Sequence, residues 1–250
     1  AIKSTLPIET KMFLTRLVDS DLPIENLLTD RSLYVNTASA RVYGIADPGT
    51  VDLRLVEGNA DERAGIFTQL AFLSTHAMPA SSHPIKRAHI MFEKLLCAHA
   101  PPPPANVPPI QPQQANQTTR QRFEAHAEAE CATCHRAMDP LGFALESFDG
   151  IGRFRTTEND QPIDTTGELE LPSGNKIAFS GATEMLAALA KTSDVKTCLV
   201  RQLTRYATAL GDGPDQHVAY DVLGIVGSDR KWRDVLVSLT SMRAFRWRTP

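Results

Sequence analysis

Cys131-Ala132-Thr133-Cys134-His135 is the stretch on which the reading of this 250-residue chain turns. Two thiols three residues apart, followed at once by an imidazole, suit covalent addition to the vinyl groups on one edge of a porphyrin, with the imidazole under the iron. That is the pattern of a c-type haem site. On this reading Cys131 and Cys134 anchor the haem and His135 ligates its iron. A Cys-x-x-Cys pair alone also suits a zinc half-site or a redox dithiol. A zinc site calls for a second Cys/His pair at ligand spacing, and the remaining cysteines, Cys97 and Cys198, stand alone. A thioredoxin-like dithiol follows a strand in a βαβ unit, whereas residues 120–130 are charged, alanine-rich and helical in character.

Outward from the motif, composition narrows the class. Hydrophobic residues make up 42% of the chain and the formal net charge is -3, so nothing electrostatic argues for nucleic acid or an anionic membrane. No apolar run approaches spanning length. A basic cluster at Arg243, Arg246 and Arg248 reads as a solvated helix end. Haem c is attached outside the cytoplasm, so the motif implies an exported protein, periplasmic or extracellular. The opening Ala1-Ile2-Lys3 carries no export signal, from which we expect an upstream segment to have been removed. In an oxidising compartment Cys97 and Cys198 are expected to pair. The bond would close a loop of about a hundred residues and contribute on the order of 4 kcal/mol. Two separate buried thiols are the alternative.

The fold expected is mainly α. Apolar spacing predicts a helix after Pro7 that breaks at Asp19-Ser20-Asp21, a short helix from Pro23, a turn from Leu33 into residues 38–43 and a brief strand over 51–56. Helices are predicted over 63–74 and 84–99. Pro101 to Pro104, with Pro108, Pro109 and Pro112, read as an extended strap pinned at Cys97. Thr118 or Thr119 caps a helix leading into the motif, and Pro140 is expected to stop the haem-binding turn. Turn signals at Asn159-Asp160 and Ser173-Gly174 mark a small β excursion over 157–179. Helical periodicity returns over 182–190, 194–210, 216–226 and 231–242.

Arg63-Ala64-Gly65-Ile66-Phe67-Thr68-Gln69, His83-Pro84-Ile85-Lys86-Arg87, Leu95-Leu96-Cys97 and the proline run, Cys131 to His135, Asp139 to Glu146 and Phe148-Asp149 together resemble the planctomycete-type cytochrome c proteins. These are large exported proteins built from several domains of uncharacterised function around haem-binding motifs. The resemblance implies a helical N-terminal segment over 1–58, as the tail of an upstream domain. A cytochrome c-like haem domain would follow over 59–155, then the β excursion and a C-terminal helical domain over 156–250. It also implies that the chain is the C-terminal part of a longer product, whose upstream part is expected to remain as a partner chain. A short stand-alone relative is the alternative.

For the iron, the second ring nitrogen of His135 should donate to a carbonyl, with the backbone around Asp139-Pro140 as the expected acceptor. The opposite face decides between electron carriage and ligand chemistry. His126, nine residues before His135, resembles a position that the family usually fills with histidine and is the candidate distal ligand. A helix histidine serving a propionate or a carbonyl is its other reading. His76, His83, His89, His99, His217, Met78, Met91, Met185 and Met242 read first as surface or core. Met138, Leu141 and Phe143 are available to cover a porphyrin face, and Arg153 and Arg155 to pair with propionates. Glu146 and Asp149 read as surface or capping carboxylates, with no nucleophile near them. The expected function is electron transfer through one haem c to a redox partner protein. The alternatives are a haem-c oxidase or peroxidase, and the electron-accepting subunit of a larger dehydrogenase.

Overall fold

The computed structural model describes residues 2–100, 110–124, 132–211, 213–228 and 230–246, with the backbone alone at 132–134. The described chain is mainly helical with small antiparallel sheets. Helix α1 (Ile2–Asp19) ends where Asp21 turns to φ 50°, and α2 (Asn26–Thr29) follows. Strand β1 (Ser32–Val35) stands where a turn was expected. It pairs antiparallel with β2 (Arg54–Glu57), Leu33 opposite Val56 and Tyr34 opposite Leu55. Between them α3 (Thr37–Tyr43) is fixed by a reciprocal cap, Asn36 accepting from Ser39 N–H and Ser39 accepting from Asn36 N–H.

The helix predicted over 63–74 is broken. Gly65 takes φ 60°, and a Cβ there would stand 2.5 Å from the Leu27 carbonyl oxygen. Thr68 Oγ1 accepts from Ala64 N–H, while Arg63 donates to the Thr68 carbonyl at 2.7 Å. Side chains have claimed backbone groups that a helix would use, so only a single 3₁₀ turn (Ile66–Thr68) and α4 (Leu70–Thr75) form. Helix α5 (Pro84–Leu95) opens with Pro84 in its first turn and with His83 accepting from Lys86 N–H. It stops short of the expected 99, because Cys97 sits at φ 50°.

Helix α6 (Thr119–Glu124) begins with Thr118 and Gln121 exchanging side-chain and backbone bonds. Helix α7 (Ala132–Phe143) carries Cys134 and His135 and runs through Pro140, where a stop was expected. The proline removes one rung toward the Arg136 carbonyl. The helix continues because Leu141 and Phe143 bury beyond it. The β excursion consists of two hairpins, β3 (Thr157–Glu158) with β4 (Gln161–Pro162) and β5 (Thr166–Glu170) with β6 (Lys176–Ser180). Asn159 and Asp160 supply positive φ at the first turn, as does Gly174 at the second. Helices α8 (Ala182–Ala190), α9 (Ser193–Thr208), α10 (Pro214–Val226), α11 (Trp232–Ser241) and the short α12 (Arg243–Arg246) complete the chain.

One buried cluster joins Phe13 and Leu17 of α1, Met91 of α5, Leu141 of α7, Leu186 of α8 and Val235 of α11, so all three sequence segments contribute to a single core. Cys97 and Cys198 are bonded, with Cα atoms 5.4 Å apart, and join the end of α5 to α9. Residues 101–109, the centre of the expected strap, lie outside the described residues. No helix among the described residues is long and apolar enough to cross a membrane.

Candidate functional site around His135

Helix α7 is held from two sides. On one side it meets α5 so closely that a Cβ on Gly142 would lie 2.1 Å from the Pro84 carbonyl oxygen. On the other it meets β5, where Gly167 lets the strand approach: a Cβ there would stand 2.6 Å from the Phe179 ring and 3.2 Å from Pro140. A cavity of about 670 Å³ opens between α6, α7 and the β5–β6 hairpin. That volume falls within the range typical of small-molecule and cofactor sites. Its walls include His135, Asp139, Pro140 and Phe143 from α7, Arg120 and Glu124 from α6, and Glu168 and Lys176 from the hairpin.

His135 and Asp139 are one helical turn apart and share a face. The ring Nδ1 lies 2.9 Å from Asp139 Oδ2 and 3.1 Å from Oδ1. The acceptor therefore belongs to the expected residue but is its side-chain carboxylate, where a backbone carbonyl was anticipated. Asp139 is 4% exposed. Burial pushes its carboxyl up to about 6, against the downward pull of the His135 bond. A neutral ring that donates from Nδ1 carries its lone pair on Nε2, the nitrogen suited to a metal.

Arg120 spans the cavity's edge. Its guanidinium lies 5.0 Å over the Phe143 ring, pairs with Glu124 and Asp164, and donates to the Asp164 and Thr166 carbonyls. Phe143 thus lines the cavity as a sequence-predicted residue, while Met138 and Leu141 are packed into the core. Arg153 is exposed and Arg155 points elsewhere, to Glu158 at 2.8 Å and Glu146 at 3.5 Å; neither lines this cavity. The cations that do are Arg120, Arg136 and Lys176. Arg136 was within reach of sequence reasoning as the neighbour of His135. Arg120 and Lys176 arrive through tertiary packing and left no local signal.

Cys131 and His126 lie outside the described residues, as does the side chain of Cys134. Among the described residues no other histidine and no methionine lines the cavity. His76 bonds the Phe72 carbonyl and stacks on that ring, His83 caps α5, and Met91 and Met185 are core. No cluster of three or more His, Cys, Asp or Glu side chains forms a metal site among the described residues.

Behind α7 is a second polar centre. Glu146, expected at the surface, is 1% exposed. It accepts from Ser82 Oγ at 2.7 Å, with Arg87 at 3.9 Å and Arg155 at 3.5 Å. Burial, opposed by Arg87 and the Ser82 bond, raises its carboxyl to about 7. Arg87, wholly buried, donates to the carbonyls of Leu73, Leu145, Phe148 and Asp149, so α5 ties down the chain leaving α7. Arg63, between the Tyr43 and Phe148 rings at 4.7 and 4.6 Å, secures Gly152 in the same way. These groups position α7 and expose no reactive atom to the cavity.

The model of the PSCyt3 family, described as a protein of unknown function (DUF1588), matches residues 63–158. The match runs from Arg63 to Glu158 and so takes in the Cys131–His135 motif, Arg87 and Glu146. No curated protein and no solved structure matches the chain.

Proposed function

We propose that this chain is an exported c-type cytochrome of the planctomycete type. One haem is attached through Cys131 and Cys134 in a cytochrome c-like domain, and the chain exchanges electrons with a redox partner protein. The observation that carries the reading is the ring of His135, next to Cys134 on α7, oriented by Asp139 beside a cavity of about 670 Å³. The residues fit the group in part: Nε2 is the nitrogen offered by the tautomer that Asp139 selects, Phe143 and Pro140 give apolar wall, and Arg136 is a cation suited to a carboxylate at a porphyrin edge, while Arg120 and Lys176 are paired with Glu124 and Asp164 and with Glu168. A bound haem would supply a one-electron couple at the iron. The chain's own part is to hold His135 in one orientation, to limit water on the Phe143 side, and to keep α7 fixed through Arg87 and Gly142.

The alternative reading is a haem-c oxidase or peroxidase. Visible spectra separate the two. Low-spin ferric bands that cyanide, azide and carbon monoxide leave unchanged support the carrier. A high-spin iron that binds them at once supports the enzyme and overturns the carrier. Loss of the low-spin bands in His126→Ala would assign the opposing ligand.

A further inference from the structure

Resting on the haem reading, we infer that Asp139 is a positioning residue that gives His135 anionic character and so holds the iron's midpoint potential low.

The argument starts from the acceptor's charge. A backbone carbonyl opposite Nδ1–H is neutral, whereas Asp139 offers both carboxylate oxygens, at 2.9 and 3.1 Å. Charge-assisted bonds of this kind are about twice as strong as neutral ones. Asp139 sits in the last turns of α7 at 4% exposure, with the His135 side chain at 17%, so little water screens the pair. Drawing the Nδ1 proton toward the carboxylate raises electron density at Nε2. A ligand richer in electrons favours the more highly charged ferric iron over the ferrous. The fixed scaffold lets the carboxylate keep this place: Pro140 follows it directly, and Gly142 locks the same turn onto Pro84. The other ionisable groups at the cavity, Arg120, Glu124, Arg136, Glu168, Glu170 and Lys176, are of mixed sign.

The test uses the full chain, exported and loaded with haem, and follows the midpoint by spectroelectrochemical titration. Asp139→Asn keeps the volume and an oxygen acceptor but removes the charge. It should weaken the preference for the ferric state at least tenfold, a rise of about 59 mV for a one-electron couple. Asp139→Glu retains the charge and should recover part of that shift. An Asn variant with haem bound and an unmoved midpoint overturns the inference, as does an equal rise in both variants, which would show displacement of the ring alone. Wild-type protein gives an independent measurement. In its reduced, diamagnetic form, with carbon monoxide added if the sixth position is open, the His135 Nδ1–H should appear as a far-downfield, slowly exchanging proton resonance; its absence overturns the inference. Wild-type chain that carries no covalent haem refutes the functional reading itself, a result distinct from either of these.

Discussion

Replacing Gly142 by alanine tests the packing that sets α7 in place. A methyl at this position would stand 2.1 Å from the Pro84 carbonyl oxygen and 2.6 Å from its carbon, both rigid backbone atoms, where 3.4 Å is ordinary contact. Relief requires α5 and α7 to part by about 1.3 Å (3.4 minus 2.1) along that line. A gap of ~0.5–1 Å already forfeits a quarter to a half of the dispersion well for each contact. Overpacking of this kind costs about 1–3 kcal/mol, and the backbone partner places this site at the upper end. Alanine's better helix propensity returns up to ~1 kcal/mol, leaving a net loss of about 2 kcal/mol. Gly224 in α10 is the internal control, because nothing lies within 4 Å of its added Cβ. Gly224→Ala should stabilise by about 0.5–1 kcal/mol. Urea unfolding followed by circular dichroism reads both. A Gly142→Ala variant as stable as wild type would refute the close approach of the two helices.

Three further outcomes follow from named contacts. Reducing the Cys97–Cys198 bond, or replacing both residues by serine, should cost about 4–5 kcal/mol, since 101 residues separate the partners in sequence; unchanged urea midpoints with and without reductant would contradict this. Glu146 holds its proton more tightly folded (about 7) than unfolded (4.5), so its contribution is complete below the unfolded value and is lost as pH rises through 7. The chain should therefore be more stable at pH 5 than at pH 8, by up to about 3 kcal/mol from this group, and Glu146→Gln should flatten the slope. Glu9, also raised to about 7 by burial, contributes with the same sign and keeps part of the slope in that variant. Arg87→Met removes a buried donor shared by four carbonyls and the cation beside the buried Glu146 carboxyl, which keeps Ser82 and Arg155. A loss of about 3–5 kcal/mol is expected in a melt, well beyond that of an exposed arginine such as Arg153.

The parts of the fold that could be read from sequence are those that local chemistry decides. Helices α8 to α11 follow their apolar spacing within a few residues, and the Asn159-Asp160 and Ser173-Gly174 turns fall where positive φ is needed. Where reading failed, a distant group had changed the local rule. The helix expected over 63–74 gives way because Arg63 donates to the Thr68 carbonyl, the Thr68 hydroxyl bonds the Ala64 backbone, and Gly65 is pressed against Leu27 and Leu28. Strand β1 looked like a turn because its partner lies some twenty residues on. Glu146 read as a surface charge because its partners, Ser82 and Arg87, sit about sixty residues earlier. At the site, the Asp139 partner was one turn from His135 and its position was legible. Which of its oxygens accepts depended on the helix running on through Pro140. Two of the cavity's cations, Arg120 and Lys176, were not legible, because α6 and the β5–β6 hairpin meet α7 only in the folded chain.

The central claim is a haem held covalently by Cys131 and Cys134. Intact-mass spectrometry under denaturing conditions, on chain exported from a host that attaches haem outside its cytoplasm, tests it most directly. Wild-type protein should exceed the mass of its polypeptide by one haem, and the Cys131→Ala, Cys134→Ala double variant should not. A wild-type chain recovered folded at the polypeptide mass alone, without the two hydrogens of its disulfide and with no haem, would contradict the account.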